Sequence, residues 1–186
     1  MIVNVRGTSG SGKTYLVRGV LERCVSRAPA FAQYSKRKPV GYICETRRGS
    51  KLFVVGSYEN ACGGCDALPS YDVAFDQVRK AHGLGMDVLF EGLLVSAEVT
   101  RTVKLKEDGL PLLVIGLTEV PLEACLSSVA ARRLARGETR LLDPTNTESK
   151  WKGTRRACDR LEAAGLRVMR CGREEALAAV VAELRL

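Results

Sequence analysis

The chain lacks any long hydrophobic run. No apolar stretch approaches the roughly 20 residues that a membrane-spanning helix needs, and no basic segment followed by an apolar stretch marks the amino end for secretion. Internal repeats, low-complexity tracts and Pro-rich linkers are also missing, so residues 1–186 are expected to form one soluble domain. Histidine occurs once, at His82, which limits the ligands available to a zinc site. The cysteines number seven, an odd count, and Cys24, Cys44, Cys125 and Cys158 sit inside apolar segments. That pattern predicts free, mostly buried thiols in a reducing cytoplasm rather than a disulfide framework.

Acidic residues are in deficit: 21 Asp and Glu face 29 Lys and Arg, a net charge of +8. So basic a surface favours a polyanionic partner, nucleic acid first, through steering and counterion release. Charge alone does not separate this from a basic protein with no such partner.

What is present is concentrated at residues 2–14. The segment Ile2-Val3-Asn4-Val5-Arg6 reads as a short apolar strand, and it runs into the sequence G-x-x-x-x-G-K-S/T. Gly7, Gly12, Lys13 and Thr14 fill the fixed positions, with Thr8, Ser9, Gly10 and Ser11 between them. Glycines let the backbone curl so that its N–H groups converge on phosphate oxygens. Lys13 reaches the β- and γ-phosphates, the Thr14 hydroxyl ligates Mg²⁺, and the helix that follows adds the positive end of its dipole. The segment predicts binding of a nucleoside triphosphate, ATP with Mg²⁺.

Further along, Pro39–Thr46 and Lys51–Gly56 read as a hairpin, and Ala28-Pro29-Ala30 as a break after a helix over 13–27. Helices are predicted at 71–81, 95–106, 121–135, 148–164 and from Arg173 onward. Strands are predicted at 87–92, 110–117 and 166–171. Strands alternating with helices specify a three-layer α/β sandwich with a mainly parallel sheet and an inserted hairpin. Ligands collect at the carboxyl ends of such strands, where Gly7, Glu91, Thr118 and Gly172 would lie.

Several residues could carry chemistry there. Glu91 ends an apolar strand, a costly place for a carboxylate unless a cation meets it, and is the second candidate Mg²⁺ ligand beside Thr14. Asp66 follows Cys62-Gly63-Gly64-Cys65. It is the candidate to take a proton from an alcohol acceptor, with Glu45 and Glu59 as alternatives; equally, Asp66 or Ser70 could cap the helix at Tyr71. Cys62 and Cys65 form a C-x-x-C with no second pair to complete a zinc site. Arg132, Arg133, Arg136 and Arg140 follow one helix into its loop. Arg132 and Arg136, four apart, could close over a transferring phosphoryl group, or form a solvated basic face. Arg173 is a further candidate nucleotide contact. Trp151 lies among Lys150, Lys152, Arg155 and Arg156, a combination that suits a phosphate backbone plus a stacking ring, or a core tryptophan.

Together, the loop Gly7–Thr14, the strand Val88-Leu89-Phe90-Glu91-Gly92 and the arginines at 132–140 resemble P-loop kinases of the nucleotide-kinase type. Within that group, Tyr58–Asp66 followed by Val-Leu-Phe-Glu-Gly-Leu-Leu is similar to bacteriophage 5-hydroxymethyluridine DNA kinases. The resemblance implies transfer of the ATP γ-phosphate to the hydroxymethyl group of a modified base in DNA. For such a transfer Lys13, Asp66, Arg132 and Arg136 are the candidate catalytic residues on their own chemistry, and the free thiols predict a cytoplasmic protein. Two other readings remain open at this level: a kinase of a free nucleotide or metabolite, and a nucleotide-binding ATPase or regulator.

Overall fold

The structure is a computed structural model describing residues 1–32, 38–60, 63–138, 140 and 142–186. Its centre is β1 (Ile2–Arg6), whose five residues are all buried. Alternation explains why both faces are covered: Val3 and Val5 enter one apolar cluster and Ile2 enters the other. On either side of β1 lie β5 (Asp87–Glu91) and β6 (Leu112–Gly116), both parallel to it. Outside these come β4 (Lys51–Val55) next to β5 and β7 (Arg167–Arg170) next to β6, again parallel.

The sheet does not end at β4. β3 (Gly41–Glu45) pairs antiparallel with β4, and β2 (Ser26–Ala30) pairs antiparallel with β3. The resulting seven-stranded order is β2-β3-β4-β5-β1-β6-β7. The predicted hairpin is therefore no separate insertion: β4 belongs to the parallel core, and β3 extends it. β2 corrects the expectation of a long first helix. Helix α1 covers only Lys13–Leu21, and Pro29 lies within the following strand, in register with Tyr42. An edge strand tolerates proline because an outward N–H would have no partner there.

Helices cover both faces. On one side α1 packs with α7 (Arg173–Glu183) over Val3, Val5, Leu113 and Ile115. On the other, α2 (Tyr71–Gly83) covers Phe53, Val88 and Phe90, where Phe75 meets Phe90 edge-on at 5.7 Å. Further along, α5 (Leu122–Leu134) and α6 (Thr145–Ala163) follow β6.

The predicted helix over 95–106 is two: α3 (Leu93–Ala97) and α4 (Thr100–Glu107). A buried cation causes the break. Arg6 is wholly enclosed; its guanidinium donates to Asn4 Oδ1 (2.6 Å), to Thr102 Oγ1 (2.6 Å) and to the carbonyls of Ser96 and Glu98. An unbroken helix would keep those carbonyls for itself. Glu98 then restarts the chain as a cap, accepting the N–H groups of Arg101 (2.6 Å) and Thr102 (3.2 Å). Burial lowers the Arg6 pKa to about 10, partly offset by the Cys158 and Glu98 charges, so Arg6 keeps its charge at neutral pH.

Candidate active site

The register places Glu91 beside Val5 and Gly116 beside Arg6, so the carboxyl ends of the parallel strands form one edge. The loop 7–14 lies on that edge, directly after β1. Lys13 turns its ammonium back over the loop, donating to the carbonyls of Gly7 (2.7 Å) and Thr8 (3.1 Å). Gly10 has φ +78°, and a Cβ there would stand 2.2 Å from the Cys125 carbonyl oxygen. Only glycine lets α5 lie so close to the loop.

The loop is tied down from distant parts of the chain. The Gly7 N–H donates to Ser96 Oγ (3.1 Å), and Thr8 Oγ1 donates to the Thr147 carbonyl (3.1 Å). Arg173 donates to the Ser11 carbonyl (3.0 Å), the Gly10 carbonyl (2.8 Å) and Ser128 Oγ (3.1 Å). These bonds occupy its guanidinium with loop backbone, so Arg173 shapes the cradle.

Above the loop opens a cleft of about 590 Å³ whose lining includes Lys13, Thr14, Asp66, Glu91, Arg132 and Arg173. Thr8, Ser9, Gly10 and Gly12 line it too; Gly7 and Ser11 lie beneath. Thr14 Oγ1 donates to Glu91 Oε1 at 3.1 Å. Glu91 is 1% exposed. Burial raises its pKa to about 7 and Asp66 adds to the rise, while the Lys13 charge and the Thr14 hydroxyl pull it down. Burial likewise lowers Lys13, against the upward pull of Glu91 and Asp66. For both groups burial outweighs the mutual attraction of opposite charges, which only moderates the shift of each toward its neutral form.

Among the described residues no group of three His, Cys, Asp or Glu could cage a metal by protein ligands alone. One carboxylate and one hydroxyl at a phosphate loop suit Mg²⁺, which keeps waters and takes phosphate oxygens.

Asp66 sits in a short 3-10 turn, Cys65–Ala67. Its two oxygens accept the N–H groups of Leu93 (2.7 Å) and Leu94 (3.1 Å), so it caps α3 while facing the cleft. The cap at Tyr71 belongs instead to Ser70, whose Oγ accepts from Val73 N at 3.2 Å. The glycines before Asp66 are there for contact: at Gly64, φ +80°, a Cβ would fall 2.6 Å from the Glu91 carbonyl oxygen. Of the alternative acids, Glu59 accepts from the Tyr42 hydroxyl. Glu45 is at the wrong edge: it pairs with Lys51 at the amino end of β4, because β3 runs antiparallel.

The arginines divide. Arg132 lines the cleft, and also a second cavity of about 400 Å³ that adds Arg133 and Arg140. Arg133 pairs with Glu138 at 2.8 Å. Arg136 lies beyond the last residue of α5 and lines neither cavity. Trp151 is core-bound: its ring packs on the main cluster, its indole N–H donates to the Val120 carbonyl (3.0 Å), and Arg155 covers its face at 4.6 Å. Arg155 also donates to the Thr118 carbonyl, and Lys152 pairs with Glu148. Of the basic residues in the 150–156 run, Lys152 and Arg155 are thus engaged with the protein itself. Cys65 is buried and burial pushes its thiol up; Cys62 lies outside the described residues.

Sequence reasoning missed Arg18 and Ser96. Arg18 lines the cleft and donates to the carbonyls of Asn60 (2.7 Å) and Tyr58 (3.3 Å), bracing the segment that leads to Asp66. Its spacing of four from Thr14 on α1 was a readable signal. Ser96 had none, since its contact with Gly7 spans 89 positions.

The whole fold resembles that of deoxyadenosine kinase from M. mycoides. One solved structure, with dCMP and dCDP bound, matches at TM-score 0.51 and 13% identity over 100% of this chain and 99% of that one. A second, with dATP bound, matches at TM-score 0.50. Sheet order and phosphate loop define a P-loop protein with the fold of the nucleoside kinases. No family model matches the chain. A 5-hmdU DNA kinase of Pseudomonas phage PaMx11 is 41% identical over 180 residues, covering 96% of this chain and 94% of the relative. Another 5-hmdU DNA kinase, of Delftia phage PhiW-14, is 24% identical and is covered over 65% of its length. The chain belongs to the family of phage 5-hmdU DNA kinases. Among the described residues, no helix is long and apolar enough to cross a membrane.

Proposed function

We propose that this chain transfers the γ-phosphate of ATP to the hydroxymethyl group of 5-hydroxymethyluracil in DNA. The observation that carries the reading is the convergence of Lys13, Thr14, Glu91 and Asp66 on one cleft. The loop N–H groups and Lys13 hold the phosphates. Thr14 and Glu91 hold Mg²⁺, which when bound neutralises the developing phosphate charge. Asp66 accepts the hydroxyl proton as the acceptor oxygen attacks phosphorus, and the bridging oxygen leaves with ADP. Its caps to Leu93 and Leu94 fix the carboxylate plane and still leave lone pairs on both oxygens. Arg132 meets the charge spread over the transferring oxygens.

The acceptor is favoured by the family to which the chain belongs and by the net charge of +8. A base inside a duplex cannot reach a recessed cleft, so the target nucleotide is flipped out or single-stranded. The experiment is γ-labelled ATP with DNA containing 5-hydroxymethyluracil, ordinary thymine DNA, and a panel of free nucleosides and nucleotides. Label in the modified DNA alone is the expected result. Label in free nucleosides without label in modified DNA overturns it in favour of a small-molecule kinase.

A further inference from the structure

Tyr15 follows Thr14 on α1, and its side chain has no folding task. It is 76% exposed. Most other rings have partners: Phe75 lies against Phe90, Tyr42 against Tyr58, and Tyr71 and Trp151 lie under arginines, while Phe53 is buried and the exposed Phe31 does not line the cleft. Among the described residues Tyr15 meets no ring or guanidinium, yet it is the aromatic side chain that lines the cleft. An apolar ring left in water on a helix face recovers that exposure only when something flat covers it.

Its neighbours indicate which part of the cleft it serves. Tyr15 and Arg18 are three apart, so they share a face of α1. Arg18 is bonded to the carbonyls of Tyr58 and Asn60, in the segment that delivers Asp66. Gly63, Asp66 and Leu93 line the same cleft. The Tyr15 ring therefore opens onto the same cleft as the acid assigned to the acceptor.

We propose that Tyr15 is the stacking platform for the target pyrimidine, with Arg18 supplying positive charge to its phosphodiester. This inference rests on the reading of modified DNA as acceptor. A nucleotide withdrawn from DNA loses the stacking of its neighbours, and an aromatic face returns that contact. Stacking leaves the 5-substituent at the ring edge free, so the hydroxymethyl oxygen can turn toward Asp66 while the ring stays on Tyr15.

The test uses a single-stranded oligonucleotide with one 5-hydroxymethyluracil and compares the parent with Tyr15→Phe and Tyr15→Ala. Tyr15→Phe keeps the ring and is expected to hold the parent's acceptor KM within about twofold. Tyr15→Ala is expected to raise it by roughly 5- to 150-fold, the range of one base–aromatic stack, with the ATP KM shifted by less than about twofold. As a readout without turnover, Tyr15→Trp should lose fluorescence as the oligonucleotide is added. An unchanged acceptor KM for Tyr15→Ala, in a parent that labels the oligonucleotide, removes this inference alone. A rise confined to the ATP KM also overturns it, assigning the ring to the nucleotide side. A parent that labels no modified DNA removes the functional reading and this inference with it.

Discussion

Replacing Glu91 with glutamine keeps the shape of the side chain and removes its titration. In the folded, nucleotide-free protein the Glu91 pKa stands at about 7, against the ordinary 4.5, chiefly because the carboxyl is buried. The folded state therefore holds a proton that the unfolded chain has released between about pH 4.5 and 7. Where the native state binds more protons, stability falls as pH rises, by about 1.4 kcal/mol per pH unit. Across the window from 4.5 to about 7 this amounts to about 3 kcal/mol. Glu91→Gln loses that dependence, so the parent should lose about 3 kcal/mol relative to the variant over the window. That corresponds to roughly 6–12 °C in Tm for a chain of this size. The Lys13 response has the same sign: without its counter-charge, the Lys13 pKa falls further. Its proton is then lost more readily in the folded variant than in the unfolded chain, which also favours the variant as pH rises. The assay is urea or thermal unfolding of both proteins in EDTA, without nucleotide, from pH 4.5 to 8. Parallel curves, with a difference constant to within about 0.5 kcal/mol, would refute the argument that Glu91 is a desolvated carboxyl in the empty site.

Lys13→Ala should leave the fold intact and cut kcat by at least roughly 10²–10³-fold, since it removes a donor aimed at developing charge; steady-state turnover beside a circular-dichroism melt checks both. Asp66→Asn should lower kcat by roughly 10²–10⁴-fold with ATP binding little changed. A fully active variant would move the base to Glu59, since Glu45 is at the far edge of the sheet. Arg155→Ala should reduce stability by about 1–3 kcal/mol, because it uncovers the Trp151 face and leaves the Thr118 carbonyl without its donor. Its DNA affinity should keep the parent's salt dependence; a shallower salt slope would mean that Arg155 touches phosphate after all.

The central strands and the phosphate loop were legible because their signals are local. Ile2–Thr14 carries its strand, turn and helix start in consecutive residues, and Glu91 announces itself as an acid at the tip of Val-Leu-Phe. What escaped was set by partners far along the chain. The split between α3 and α4 answers to Arg6, more than 90 positions earlier. β2 carries a proline and little apolar character, so nothing in Ser-Arg-Ala-Pro-Ala marks it except an edge supplied by β3. Glu45 was plausible as a base only while the direction of β3 was unknown. Trp151 among its basic neighbours read equally as a stacking ring or a core residue, and it is the Val120 carbonyl and Arg155 that decide for the core. Local chemistry identified the site, and long-range pairing decided which candidates reach it.

The anchoring of the phosphate loop bears on how the protein comes into being. Residues 7–14 are made before the groups that hold them: Ser96 follows after 89 positions, Thr147 after 139 and Arg173 after 162. β1 itself waits for β5 and β6 before it has a neighbour on either side. Until those groups have been made, the nucleotide motif is a glycine-rich segment without these anchors. The motif is thus local in sequence while its shape is a long-range product of folding, complete only once the helix beginning at Arg173 has docked on the loop.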